Sequence, residues 1–257
     1  MKRVKYRDAS GIHWGELKGE RIRPLMDMTS EHQDEDLELT EVTLSDVTLL
    51  SPCEPRAIVC VGKNYAKHIK EMGGDEGQLP SEPGLFLKAL NTLSNPGDAV
   101  PYPSWTENLH YEGELAVVVG KRMKEVAEAD ALAHVLGYTC ALDVTARDKQ
   151  RSDLQWTRGK SADGFCPLGP WLETDLDTSN LSVQTRVNGE LKQDGATSDL
   201  IFSVPQILAY ISAFMTLEPG DVVLTGTPDG VGPLQIGDEV EVSVEGIGTL
   251  KNRVEAA

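Results

Sequence analysis

The chain has 257 residues, 40% of them apolar and 25% charged, which suits one substantial globular domain or one domain with a small appendage. Lysine and arginine number 24 against 41 aspartates and glutamates, a net charge of −17 that argues against nucleic acid or an anionic membrane surface as partner. No apolar run approaches the ~20 residues of a membrane span, and no apolar stretch follows the basic residues Met1 to Arg7, so neither an anchor nor a secretory signal is expected. Cys53, Cys60, Cys140 and Cys166 are widely spaced with no C-x-x-C pattern, which predicts four reduced thiols and a cytoplasmic protein.

Residues 1–50 alternate strand-like runs with turns. Val4 to Arg7, the turn Ala9 to Gly11, Ile12 to Leu17 and the turn Lys18 to Glu20 are hairpin chemistry. The acidic run Glu31 to Asp36 reads as a solvated loop or helix end, and Leu44 to Leu50 returns to a strand pattern. A small β domain over residues 1–50 is expected, with a second domain over 51–257. Ala57 to Val61 reads as a short buried strand. A short helix follows, in which His68 and Glu71 sit three apart and share a face. A surface histidine beside a glutamate is common, but a carboxylate fixing an imidazole tautomer also makes a general base. Gly73, Gly74 and Gly77 then suggest a hinged lid over 72–78. Leu85 to Lys88 reads as another buried strand.

His110 to Gly120 reads as one strand in which alternate residues share a face, so Glu112 and Glu114 point the same way. On an exposed edge such a pair is a solvated face. Leading into an apolar run, two adjacent carboxylates repel unless a cation lies between them. Glu125 to Val135 has helical periodicity. Tyr138 to Val144 is read as a strand that delivers Asp143, a third oxygen ligand. Carboxylates alone suit Mg²⁺ or Mn²⁺, with Ca²⁺ as a further possibility, better than zinc. Arg147 and Gln150 follow on one side of a helical turn, and Lys160 lies in a turn-rich segment that cannot stray far from Asp143. Asn188-Gly189 predicts a type I′ hairpin. Ser203 and Gln206 form a capping box for a helix with an Ile207, Ile211 and Met215 stripe. Thr225-Gly-Thr-Pro228 is either a plain turn or a loop whose hydroxyls, Thr227 among them, and bare backbone hold a carboxylate. Strands dominate and no βαβ alternation appears, which predicts an α+β, mainly β fold.

Five blocks now stand in order: Val61 to His68 with Glu71, Tyr111 to Glu114, Asp143 to Gln150, Lys160 to Pro170, and Thr225 to Gly232. Together they resemble the fumarylacetoacetate hydrolase family over residues 51–257. The family commonly has proline after the lysine at 88, where this chain has Ala89. The resemblance implies a mixed β-roll, usually a homodimer, in which Glu112, Glu114 and Asp143 hold Mg²⁺ or Mn²⁺. It implies His68 and Glu71 as the water-activating pair, Lys160 and Arg147 as stabilisers of an enolate oxygen, and Gln150 and Thr227 as orienting groups. The expected substrate is a small anionic 2-oxo acid with a second carbonyl at C4, cleaved at C3–C4 as acylpyruvates are. Isomerisation of 2-hydroxyhepta-2,4-diene-1,7-dioate and decarboxylation of oxaloacetate are the alternatives. A non-catalytic sensor of 2-oxo acids is the reading the base pair argues against.

Overall fold

The computed structural model describes residues 1–29, 40–75 and 78–257. The acidic run at 31–36 and part of the expected lid, Glu76 and Gly77, lie outside the described residues. The molecule is mainly β with a few short helices, as the strand-rich pattern predicts.

Among the described residues, the largest sheet has twelve strands. Its middle is the strand Gly113–Val119, antiparallel to Val135–Leu142 on one side and to Val222–Leu224 on the other. Val222–Leu224 pairs in parallel with Ile58–Gly62, and Gly84–Lys88 closes that edge. Towards the opposite edge, Cys166–Glu173 carries Lys2–Asp8, through which the N-terminal hairpins Gly11–Lys18 and Arg21–Leu25 extend the sheet. A five-stranded sheet built from Glu190–Ala196, Ser182–Val187, Glu239–Val244, Gly248–Ala256 and Ala99–Tyr102 faces the first.

Period-two alternation positions the core. Leu115, Val117 and Val119 pack towards Val183, Val242 and Val244 of the smaller sheet and Ile207 and Ile211 of helix α4 (Val204–Phe214). Ala116 and Val118 point the other way, with Cys60, Ala141 and Leu224. Glu114 has the parity of Ala116, so the chemistry lies on that second face. The two sheets approach closely at Gly113, where an added Cβ would lie 2.0 Å from Thr185 Oγ1.

Several local expectations hold. Asn188 and Gly189 take φ of 52° and 80°, the paired positive values of a type I′ turn. Gln206 Oε1 accepts from the Ser203 amide at 2.9 Å in the capping box of α4. Others are corrected. The run from His110 to Gly120 is two strands in two sheets: Leu109–Tyr111 belongs to a three-stranded sheet, Gly113–Val119 to the large one, and Glu112 is the link. Within the expected helix at 125–135 only Glu128–His134 is helical, as a 3₁₀ helix, and the strand begins at Val135, because Val135 and Gly137 already pair with Val119 and Val118. Leu44 to Leu50 splits into a 3₁₀ turn, Leu44–Asp46, and a short strand, Thr48–Leu50. Gly84–Lys88 is an edge strand with Leu87 56% exposed, and in it only Lys88 is fully buried.

Candidate active site

Three carboxylates converge where strands end. Glu112 follows Tyr111 as the chain leaves the three-stranded sheet, and Glu114 is the second residue of the next strand. Asp143 follows Leu142, and its amide donates to the Glu112 carbonyl at 2.8 Å, so the ladder extends one step past the strand ends. One oxygen from each of Glu112, Glu114 and Asp143 lies within 4.8 Å of the others, and all three residues are buried.

Cations surround two of the three. Lys160, at the end of α3 (Thr157–Lys160) and therefore helical, reaches Glu112 Oε2 at 2.7 Å and Asp143 Oδ2 at 2.6 Å. Arg147 opens α2 (Arg147–Ser152), donates to Glu112 Oε1, and donates to Gln150 Oε1 at 2.6 Å. Lys88 Nζ donates to the other Asp143 oxygen at 2.5 Å and to the Val144 carbonyl at 3.2 Å. Among the described residues Glu114 pairs with no cation of its own; it accepts the Gly226 amide at 2.7 Å.

The electrostatics follow this division. Burial alone would raise the Glu112 carboxyl, but Lys160, Arg147 and His68 outweigh it and hold the group well below the carboxylate range. Burial, and then the charges of Asp143 and Glu112, push Glu114 well above its ordinary 4.5. Burial disfavours charge on Lys160, yet Asp143 and Glu112 raise it. An all-oxygen donor set with one member lacking a counter-charge fits a hard divalent cation. The three carboxylates and the cations Lys88, Lys160 and Arg147 sum formally to 3 − 3 = 0. A bound M²⁺ makes the cluster positive, so it would attract an anion despite the chain's −17.

His68 lies on α1 (Ala66–Glu71), buried, with Nδ1 3.2 Å from Glu71 Oε2. Glu71 Oε1 in turn accepts the Gly230 amide at 3.0 Å. His68, the three carboxylates, Arg147, Gln150, Lys160 and Thr227 line one cavity of about 230 Å³. Glu71 is not in its lining, but holds His68 from behind. None of the four thiols lines this cavity, and burial pushes Cys53, Cys140 and Cys166 up to about 12 and Cys60 well above its ordinary value.

In the 225–228 loop several donors already have partners within the protein. The Gly226 amide holds Glu114, and the Thr225 hydroxyl donates to the Leu115 carbonyl at 2.9 Å. Thr227 Oγ1 donates to the Gly113 carbonyl at 2.9 Å and accepts from Gln193 Nε2 at 2.7 Å. Through the Gly226 amide this loop holds one of the protein's own carboxylates, while Thr227 also lines the cavity. Gln193, fully buried, also accepts the Gly113 amide at 2.9 Å and ties the second sheet to the site. Asn64 does the same from the other side, donating to the Thr225 carbonyl at 2.8 Å. Sequence reasoning missed Lys88, Gln193 and Asn64. Lys88 carried the one usable signal, a lysine closing an apolar strand.

A buried carboxylate triad beside a histidine–glutamate pair, on this arrangement of sheets, defines an enzyme site of a known class. The chain belongs to the fumarylacetoacetate (FAA) hydrolase family, whose C-terminal domain model matches residues 57–255. It is 47% identical over 204 residues to "Oxaloacetate tautomerase FAHD1, mitochondrial" of Bos taurus, covering 77% of this chain and 91% of that one. It superposes on the 2-hydroxyhepta-2,4-diene-1,7-dioate isomerase of Mycobacterium marinum with a TM-score of 0.89 and 40% identity, covering 100% and 98% of the two chains. The fumarylpyruvate hydrolase of Pseudomonas aeruginosa, solved in complex with Mn²⁺ and pyruvate, matches with a TM-score of 0.75 and 35% identity over 80% of this chain and 91% of that one. Among the described residues no helix is long and apolar enough to cross a membrane.

Proposed function

We propose that the protein is a divalent-metal enzyme that acts on short 2-oxo acids by forming the enolate at C2–C3. One observation carries this reading: the cavity that holds the three-carboxylate cluster also holds His68, kept in place by Glu71. The elementary reaction is keto–enol exchange on an oxaloacetate-like acid. His68 takes the proton from C3 while the electron pair of that C–H bond forms the C2=C3 bond and the carbonyl electrons move to the 2-oxo oxygen. Lys160 and Arg147 offset the developing charge as preorganised donors. A proton returned to that oxygen gives the enol, and reversal at C3 gives back the ketone. A cation held by Glu112, Glu114 and Asp143 supplies Lewis acidity towards the 2-oxo oxygen. Gln150 is held by Arg147 and faces the same space.

A second reading, C–C hydrolysis of a 2,4-dioxo acid, uses the same groups. Here His68 takes a proton from water, the hydroxide adds to C4, and C3–C4 breaks with its electron pair left on the pyruvate fragment. The similarity to a fumarylpyruvate hydrolase supports it. Decarboxylation of oxaloacetate needs no attacking water and should survive loss of His68. The test is a panel of enol-oxaloacetate, acylpyruvate and 2-hydroxyhepta-2,4-diene-1,7-dioate, each with Mn²⁺, Mg²⁺ or EDTA. Turnover of any one that disappears with EDTA and in His68→Ala supports the reading. Turnover at the parental rate in either condition removes it.

A further inference from the structure

The buried cations of the cavity are all occupied, but two exposed ones are not. Lys63 and Arg151 line the same cavity as Lys160 and the carboxylates, and both are exposed where Arg147 and Lys160 are buried. They therefore stand at the mouth, and the buried pair at the floor. Neither makes a side-chain hydrogen bond or an ion pair among the described residues, in a chain whose acidic groups outnumber its basic ones by 41 to 24.

The backbone places both with some specificity. Arg151 follows Arg147 by four residues on α2, hence on the same side of the helix and one turn, ~5.4 Å, further along it. Lys63 follows the strand Ile58–Gly62 and takes φ of 60°, the left-handed region that costs a non-glycine residue of order 1 kcal/mol. Glycine or asparagine would sit there with less strain, so the lysine side chain is what distinguishes the position. Beside it, Gly62 lets the Trp156 ring approach to 3.1 Å of where a Cβ would be, and Trp156 packs on Phe86 at 5.3 Å. The two half-buried rings line the same cavity as the cations, with Phe86 4.8 Å from Lys160 Nζ and Trp156 against Gly62, next to Lys63.

We infer that Lys63 and Arg151 are specificity residues that bind the distal carboxylate of a short 2-oxo diacid whose 2-oxo end lies at the floor. The inference rests on the function proposed above and narrows its substrate class to diacids. A rim that selected a neutral or apolar tail would leave two unpaired cations facing it.

The test uses a matched pair that differs only in the tail, 2-oxoglutarate and 2-oxopentanoate, with oxalate as a probe of the floor. Calorimetry on the Mn²⁺-loaded protein should show 2-oxoglutarate binding at least about tenfold more tightly than 2-oxopentanoate, or about 1.4 kcal/mol. In the double variant Lys63→Gln/Arg151→Gln that gap should close to within about twofold, with oxalate affinity falling far less than 2-oxoglutarate affinity. A control double variant, Lys67→Gln/Lys121→Gln, removes the same net charge from exposed positions outside this cavity and should keep the gap. No gap in the parent protein, or a gap that persists in the rim variant, overturns the inference while oxalate still binds. Failure of oxalate to bind the parent protein at all would instead remove the reading of the floor, and with it this one.

Discussion

The floor of the cavity and the helix that overhangs it are built by opposite means. On the floor, Glu112, Asp143, Arg147, Lys160 and Lys88 are almost completely buried and bonded to one another, so each charge is fixed by its neighbours. On the overhanging side, His68 depends on a six-residue helix and one contact with Glu71, whose side chain is 32% exposed. Just past that helix the Gly73 φ of 85° reverses the chain. A densely bonded electrostatic cage is therefore paired with a histidine, proposed above as the proton acceptor, on a short helix. Changes to the cage should alter cation binding and stability, whereas changes to the helix should alter turnover and leave the cation in place.

The largest effect should come from removing a cage ligand. Glu114→Gln is expected to lower turnover more than about a hundredfold and to weaken Mn²⁺ binding measured by calorimetry; unchanged Mn²⁺ affinity would place the cation elsewhere. Next, His68→Ala should lower kcat by about 10²–10⁴, with Mn²⁺ affinity unaltered. A matching loss of Mn²⁺ affinity would erase the distinction between the two regions. Third, Lys88→Met leaves one of the two Asp143 oxygens, Oδ1, without its buried partner, with Lys160 still on the other. It should cost about 3–5 kcal/mol in denaturant unfolding of the metal-free protein and reduce activity about 10–100-fold. Stability equal to the parent's would mean Lys88 contributes nothing to the cage.

The smallest effect is one of pH. Glu114 is held above its ordinary 4.5 by burial and by its two neighbours. The metal-free folded state then binds more protons than the unfolded chain, so this group's contribution falls as pH rises from about 4.5 towards its raised value. A bound cation displaces the proton and cancels the loss. The gain in melting temperature from saturating Mn²⁺ should therefore grow between about pH 5.5 and 8, by ~2–4 °C for each kcal/mol of linkage. A gain that shrinks over this range would contradict the protonation assigned to Glu114.

Much of the cage was legible because its members lie close along the chain: Glu112 and Glu114 straddle one residue, and Asp143 closes the next apolar segment. Parity along strands gave the right face for Glu114, although Glu112 turned out to link two sheets. The His68–Glu71 contact followed from helical spacing alone. The partners of Lys88, Gln193 and Asn64 were not legible, because each acts on a residue 55, 34 or 161 positions away, and Lys88 showed only as a lysine closing an apolar strand. Pattern in a single sequence reports local periodicity, and pairings of that separation leave no periodic trace. The internal partners of the 225–228 loop were hidden for a related reason: the acceptors of its donors, Glu114, Leu115 and Gly113, belong to another strand.

One position binds these regions together mechanically. Gly113 stands between the two glutamates, with no room for even a methyl group against Thr185. Alanine there would act as a wedge, prising the larger sheet off the smaller and swinging the flanking carboxylates out of mutual reach. An apolar, uncharged replacement could in this way silence the centre as thoroughly as losing an acid, and a search for inactivating variants confined to ionisable side chains would overlook it.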